Sequence, residues 1–511
     1  MLTFKVTEKW GKKIQPEWKL AFFSAVIIGL LIHMPVLVSD IPNHDGLASM
    51  YFDQNMITSG RRFMMIACGF SSFYSLPWLI GVLGIFFLGC TSAALVHLLG
   101  LRSKESIILT SGLLVAFPAL TSTFAYVYTL DGYMMALFLA VMAVIFAGKG
   151  KKGFIAGGIC LGFSMGTYQI YLAFAVILSM YSVLMIFAGE GKVVEKIKKS
   201  LSYLYMGILG VGIYYVVLRI LLVVEGKELD TYQGINGMGS LFADGLFRGI
   251  KGIYVDFITF TVSGDVLFNN VISCGALLVC AALTLIVLLQ TMIEKKWGKN
   301  FAFYVILIVA VLALPVGTNL ILVISPEVNY HLLMRYQWVL YLIMMLAFVF
   351  RYGKPAKSKI PVLFCVASFV MVFHYAVTDN IAYSNLQKKY EKTYGYCLRL
   401  LDRIEQTEGY YQGMPIAMIG VIGDEPYPVT DITGKVTGGM TGMNGDYLVY
   451  TGANYQAFMK YYLGATLNFL EPEVMEKMYD DEAYLAMDSF PGKDSIRIID
   501  GIMYIKTENQ H

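Results

Sequence analysis

The chain has 511 residues, 57% of them hydrophobic and only 15% charged. A soluble globule carries about a quarter charged residues, so a fully solvated protein is excluded and most of the surface must face lipid. The net charge of +3 is too small to suggest nucleic acid, and seven scattered cysteines with no CxxC pair or His/Cys cluster argue against a metal finger or a dithiol centre. Cys90, Cys160, Cys280 and Cys365 lie inside apolar runs, whereas Cys68 and Cys397 lie outside them and could pair.

A bilayer core about 30 Å thick takes a helix of about 20 apolar residues. The apolar runs, in chain order, are Leu20–Val38, Trp78–Leu99, Ile107–Tyr126, Tyr133–Ala147, Phe154–Ala188, Leu201–Val224, Val271–Ile293, Phe301–Ile324, Tyr336–Phe350 and Ile360–Val377. The first follows a polar, lysine-rich leader. It is too long for a signal-peptide core and runs into Ser39-Asp40-Ile41-Pro42 rather than a small-residue cleavage site, so it is expected to stay. The uncharged fifth run would be about 50 Å long as one helix at a rise of 1.5 Å per residue. It is better folded as a hairpin turning at Gly166-Thr167-Tyr168-Gln169, which makes eleven spans.

With eleven spans the loops alternate sides, and the charges divide accordingly. One side collects 21 Lys and Arg, including the leader lysines, Lys192–Lys199 and Arg351–Lys359. The other collects six: Arg61, Arg62, Lys227, Arg248, Lys251 and Arg335. The positive side is cytoplasmic, so the N-terminus is expected inside. The outer side then carries loops 39–77, 127–132, 225–270 and 325–335, and the C-terminal segment. Within the loops, 45–58 and 242–260 are amphipathic and suit helices on the membrane surface.

From Asp379 the composition turns polar. Leu386–Glu408, Tyr455–Leu463 and Glu471–Met478 read as helices and Pro415–Val421 as a strand, while Asp500-Gly501 signals a hairpin between Ser495–Ile499 and Ile502–Thr507. The expected architecture is a polytopic α-helical membrane protein of eleven transmembrane helices over residues 1–378, with a small extracytoplasmic α+β domain over 379–511. No repeat of solenoid period is present.

Candidate chemistry gathers in the outer loops. Asp40, His44 and Asp45 follow the first span, although Asp45 also suits a helix cap. Asp131 stands alone between two apolar runs, where an acid is costly unless it is solvated, paired or capping a helix. Arg61, Arg62 and Arg335 have forks that fit phosphate oxygens, or they snorkel to headgroups, as Arg219 does. His331 stands near Arg335, and Tyr168 and Gln169 at the hairpin turn could hydrogen-bond a sugar or cap the turn. No P-loop, HExxH or Ser-His-Asp signature is present.

Several of these features resemble the GtrII-like glucosyltransferase family of bacteria in order and spacing. They are the acidic loop Asp40–Asp45, Gly60-Arg61-Arg62-Phe63, a Tyr/Thr-rich segment ending in Asp131, Gly166-Thr167-Tyr168-Gln169, and the closing Phe490-Pro491-Gly492 to Asp500-Gly501. One departure is Arg62-Phe63, where the family favours Trp after Gly-Arg. The resemblance implies a GT-C type membrane glycosyltransferase with a polyprenyl-phosphate sugar donor, glucose the usual sugar. It also implies catalysis at the outer face of the bacterial cytoplasmic membrane, and a cell-envelope glycan such as O-antigen as acceptor. It assigns the base or metal-ligand role to Asp40 or Asp45, with Asp131 as a second acid. Arg335, Arg61 and Arg62 would hold the donor phosphate, and His44, Tyr168, Gln169 and His331 the substrate. A divalent metal (Mg or Mn) is compatible with these residues but not required by them. A lipid-linked sugar flippase explains the spans but not a structured outer domain. A glycan polymerase or ligase would share the compartment and the lipid donor, and eleven spans are too many for a plain anchor.

Overall fold

The structure, a computed structural model, describes residues 14–47, 56–69, 75–150, 152–237, 246–263, 271–295, 301–353, 358–419, 436–437, 439–440, 442–443, 448–449 and 452–507. Residues 48–55 of the expected surface helix at 45–58 lie outside them, as do the lysines of the leader before residue 14. The chain forms two compact units: Met1–Val38 with Phe52–Asn380, and Ser39–Tyr51 with Ile381–His511.

The first unit is helical. Among the described residues nine helices are long and apolar enough to cross a membrane, or ten if the bent pair Lys104–Ala116 and Pro118–Phe124 is one span. The expected hairpin is present: Gly153–Thr167 and Tyr171–Ala188 flank a break at residues 168–170, and the 15-residue first arm is shorter than the others. The third run was expected as one helix, but it bends by 49°. Pro118 is the cause. It lacks an N–H and forces Phe117 into an extended conformation, ψ 124°.

Local sequence explains the remaining ends. Ser103 accepts from the Ser106 N–H at 3.2 Å and caps Lys104–Ala116. Gly100 and Gly226 close Pro77–Leu99 and Val193–Glu225 in the left-handed region. The buried Lys196 ammonium donates to the carbonyls of Phe187 and Gly189 at 3.2 and 2.6 Å, which caps the end of Tyr171–Ala188.

The most enclosed spans are those containing Val339–Tyr352 and Leu130–Ala147, 78% and 72% buried. Val193–Glu225, Val271–Glu294 and Phe301–Thr318 are only 22% buried and present apolar side chains outward, as lipid-facing helices do. Small residues set the closest approach. A Cβ on Gly158 would meet Leu209 at 2.8 Å and one on Gly162 would meet Ile213 at 2.9 Å, so Gly153–Thr167 lies tightly against Val193–Glu225.

A single helix, Ile360–Glu405, replaces the separate span and helix expected at 360–377 and 386–408. No proline or glycine falls between those two runs, and Asn380 bonds back to the Ala376 carbonyl at 2.7 Å, so nothing stops the helix. Among the described residues the second unit holds a four-stranded sheet of order β2-β1-β4-β3, with β1 Pro415–Ile419, β2 Asn468–Phe469, β3 Ile496–Ile499 and β4 Ile502–Lys506. β1 runs parallel to both neighbours, and β3 and β4 form the expected hairpin. Its turn residues Asp500 and Gly501 have φ of 51° and 80°, the primed geometry that matches strand twist. Ala417, Met475, Tyr484, Met487 and Tyr504 form a hydrophobic cluster in this unit. All seven cysteines are free thiols, including Cys68 and Cys397, which the sequence left open to pairing.

Candidate functional site

Two chain breaks in the first unit meet. Gly60, at φ 73°, turns the chain so that the Arg61 N–H reaches the Met56 carbonyl at 2.6 Å. Two residues on, the Phe63 N–H donates to the Gly166 carbonyl at 2.8 Å, which docks this segment on the hairpin break. Gln169 secures the junction by donating to the Ser59 carbonyl and the Tyr214 hydroxyl, both at 3.1 Å. Gly60 must be glycine here, because a Cβ would lie 2.6 Å from the Tyr214 oxygen.

The junction presents two arginines. Arg61 donates through Nε to Ser59 Oγ at 3.0 Å and through Nη1 to the Tyr133 hydroxyl at 3.2 Å. Its Nη2 makes no hydrogen bond among the described residues. Arg62 is buried between the rings of Phe63 and Tyr214, 4.8 and 4.6 Å from their centres. Its Nη2 reaches the Ile213 carbonyl at 3.4 Å, while its buried Nε and Nη1 have no partner among the described residues. A buried guanidinium with unspent donors is costly unless an anion completes it. Tyr133 stacks on Tyr168, centroids 4.3 Å apart and planes 9° from parallel.

Asp131 joins this region through Met64–Cys68, the short helix that follows the arginines. It lies in the first turn of Leu130–Ala147, where the helix dipole favours a carboxylate, and its Oδ1 accepts from the Gly132 N–H at 2.8 Å. The Cys68 thiol is its hydrogen-bonding neighbour, and Gly132 leaves room for that sulfur, since a Cβ would lie 2.7 Å from it. Arg61, Arg62, Tyr168, Gln169 and Asp131, each singled out in the sequence, are thus drawn to one part of the first unit. Sequence reasoning missed Tyr133, two residues after Asp131, and Tyr214, which nothing in its apolar run marks.

An apolar cleft of about 840 Å³ runs between Tyr171–Ala188, Val193–Glu225 and Phe301–Thr318. Its lining extends from Ser200 and Tyr203 to Val211, Gly212 and Tyr215, which flank the Tyr214 that holds Arg62.

Arg335 belongs to a second network. Its fork binds Asp256 bidentately at 2.9 and 2.8 Å, and its plane lies 3.8 Å from the Tyr330 ring centre. Asn319 donates to the same carboxylate at 2.8 Å, Tyr330 donates to Asn319 at 3.0 Å, and Gln337 donates to Tyr330 at 2.9 Å. A phosphate at Arg335 would have to displace Asp256. His331 sits just before this turn, with its N–H on the Asn329 carbonyl at 3.0 Å. Asp256, on the expected amphipathic helix, now Leu246–Ser263, was missed, although it is an acid flanked by that helix's apolar Ile253 and Phe257. Asp379 was missed too, because it closes the last apolar run. It is fully buried beside Thr121, and no described group completes a well-aligned hydrogen bond to either of its oxygens. Arg219 is exposed, its guanidinium over the Tyr215 ring at 5.9 Å.

Asp40, His44 and Asp45 belong to the second unit. Asn43 closes the local turn, accepting from the Gly46 N–H at 2.7 Å. Asn454 donates to the His44 carbonyl at 3.3 Å, and the His44 ring lies 3.4 Å from the Asp45 carboxylate. Asp40 is exposed, and partial desolvation raises its carboxyl above the ordinary range. Among the described residues no three His, Cys, Asp or Glu side chains converge as metal ligands.

No curated protein and no solved structure matches the chain. The family described as Glucosyl transferase GtrII matches across residues 34–352, which include the arginine junction, Asp131, the cleft and Arg335. With more than half of its length matched, the chain belongs to the GtrII glucosyltransferase family.

Proposed function

We propose that the protein moves a glucosyl unit from a polyprenyl-phosphate donor to a cell-envelope glycan at the outer face of the bacterial cytoplasmic membrane, in the manner of a GT-C enzyme. The observation that carries this reading is Arg62, buried beside Arg61 with two donor nitrogens unspent among the described residues, together with an apolar cleft of about 840 Å³ lined by the neighbours of the Tyr214 that holds it. A phosphate bridging a hydrocarbon chain and a sugar would fill both. Arg61 and Arg62 supply positive charge where the leaving phosphate gains negative charge. The isoprenoid chain lies in the cleft, and Tyr168, Gln169 and Tyr133 stand beside the glucosyl ring. The concentration of Lys and Arg in alternate loops supports a cytoplasmic N-terminus and an outward-facing second unit.

In the transfer step an acceptor hydroxyl attacks the anomeric carbon. The carbon–phosphate oxygen bond breaks, polyprenyl phosphate leaves with the electron pair, and the hydroxyl proton passes to a carboxylate. Asp40 and Asp45 are the candidates for that base, with Asp131 as the second acid. A single displacement inverts the anomeric centre.

The test is envelope glycan analysis from cells that carry wild-type protein, Asp40→Asn, Asp45→Asn or Asp131→Asn at matched membrane levels. Loss of a glucosyl branch with accumulation of lipid-linked glucose in at least one variant is expected. Unchanged glycans in all three would reject the assignment of these carboxylates. NMR of the product would show whether the anomer is inverted.

A further inference from the structure

We infer that the second unit carries a saccharide-binding platform made of Tyr390, Tyr394, Phe458 and Tyr462 with the Asp40 carboxylate, and that a neutral sugar of the acceptor occupies it. The inference rests on the transferase reading and adds the acceptor's seat.

The platform is built from three stretches of chain. Tyr390 and Tyr394 lie one helical turn apart on Ile360–Glu405 with centroids 6.2 Å apart, and Phe458 and Tyr462 repeat that spacing on Gly452–Tyr462, stacked at 5.0 Å and 24°. Tyr390 joins the two pairs, 5.8 Å from Tyr462 and 6.0 Å from Phe458. Phe458 is buried and floors the cluster, while Tyr390 and Tyr462 are partly exposed and Tyr394 is exposed. Asp40 stands near both Tyr390 and Tyr462 and bears on the ionisation of each. Its carboxylate accepts no hydrogen bond and meets no cation among the described residues, so its acceptor sites are free for a ligand.

Partly exposed aromatic rings beside an uncommitted carboxylate suit a sugar. Pyranose C–H faces lie on rings, while hydroxyls, as donors, need an acceptor-only partner. The carboxylate argues against the main rival use of such rings, insertion among anionic lipid headgroups. A sugar hydroxyl bound to Asp40 also has its proton facing a carboxylate, which ties the platform to the proposed base.

The test uses the purified full-length chain in detergent, without donor, and neutral oligosaccharides released from the host's own envelope glycan. Saturation-transfer NMR is expected to show sugar ring protons in contact with the protein. Affinity should fall about tenfold in Tyr462→Ala and Tyr390→Ala, the size of one lost ring contact. Tyr462→Phe and Tyr390→Phe should retain binding, and Asp40→Asn should weaken it. Should the alanine variants fail to fold, the exposed Tyr394→Ala and the phenylalanine pair carry the test. Equal binding across all variants, or loss of bilayer stability in the tyrosine variants with the sugar signal unchanged, overturns the inference. The two readings fail separately. Binding without transfer from polyprenyl-phosphate glucose sinks the transferase proposal alone. Normal transfer with an unchanged acceptor KM in Tyr462→Ala sinks the platform alone.

Discussion

Arg62 is held between two rings and contacts Ile213, yet two of its buried donor nitrogens have no partner among the described residues. Arg62→Ala should raise the KM for the lipid donor by about tenfold to a hundredfold, the loss expected for a charged hydrogen bond. Arg62→Lys should not restore it, since an ammonium cannot stack and fork as a guanidinium does; a transfer assay over donor concentrations checks both. Asp40 gives a pH test. Its raised carboxyl means that a base at this position is half ionised above the ordinary value of about 3.9. Transfer should therefore rise with pH through that displaced value, and Asp40→Asn should abolish the limb. The sign for stability is opposite: the folded state favours the protonated form, so this residue's contribution is fullest in acid and falls as pH passes the unfolded value. At this scale the sequence showed which residue types could serve, and Arg61, Arg62, Asp131, Tyr168 and Gln169, each named from it, come together in one part of the first unit. It could not show that Arg335 is already paired, because Asp256 lies 79 residues away in the chain.

Elements were read more fully than residues, because apolar length and turn chemistry are local properties. The 153–188 hairpin and the Asp500-Gly501 turn were visible for that reason, while the bend at Pro118 and the unbroken Ile360–Glu405 helix depend on single residues at boundaries. The tight approach of Gly153–Thr167 to Val193–Glu225 leads to a packing test. Gly162→Val, which would press on Ile213, should destabilise the protein by about 1–3 kcal/mol, measured as reduced thermal stability in detergent. The Asp256–Arg335 pair fastens Leu246–Ser263 to the turn before Val339–Tyr352. Asp256→Ala leaves a largely buried guanidinium uncompensated and should cost about 3 kcal/mol. Hydrogen exchange over 246–263 should accelerate, and the double variant Asp256→Leu/Arg335→Leu should recover part of the loss.

For the whole molecule, the sequence separated a lipid-facing part from a polar C-terminal part, but it assigned the first outer loop to the former. Residues 39–47 of that loop pack within the second unit instead, through Asn43 against Gly442, and His44 against Asn454, while its later part, with Arg61 and Arg62, stays with the first. Such pairings across some 400 residues leave no periodic trace in a sequence. The order of synthesis gives them a further meaning. Residues 39–47 leave the ribosome long before the C-terminal strands, yet the sheet of their unit stays incomplete until β4, at 502–506, supplies the strand that both β1 and β3 pair with. The acidic loop must therefore wait until the chain has grown by some 450 further residues. A nonsense mutation just before codon 502 would leave every span intact and still deprive Asp40 of a finished fold to rest on.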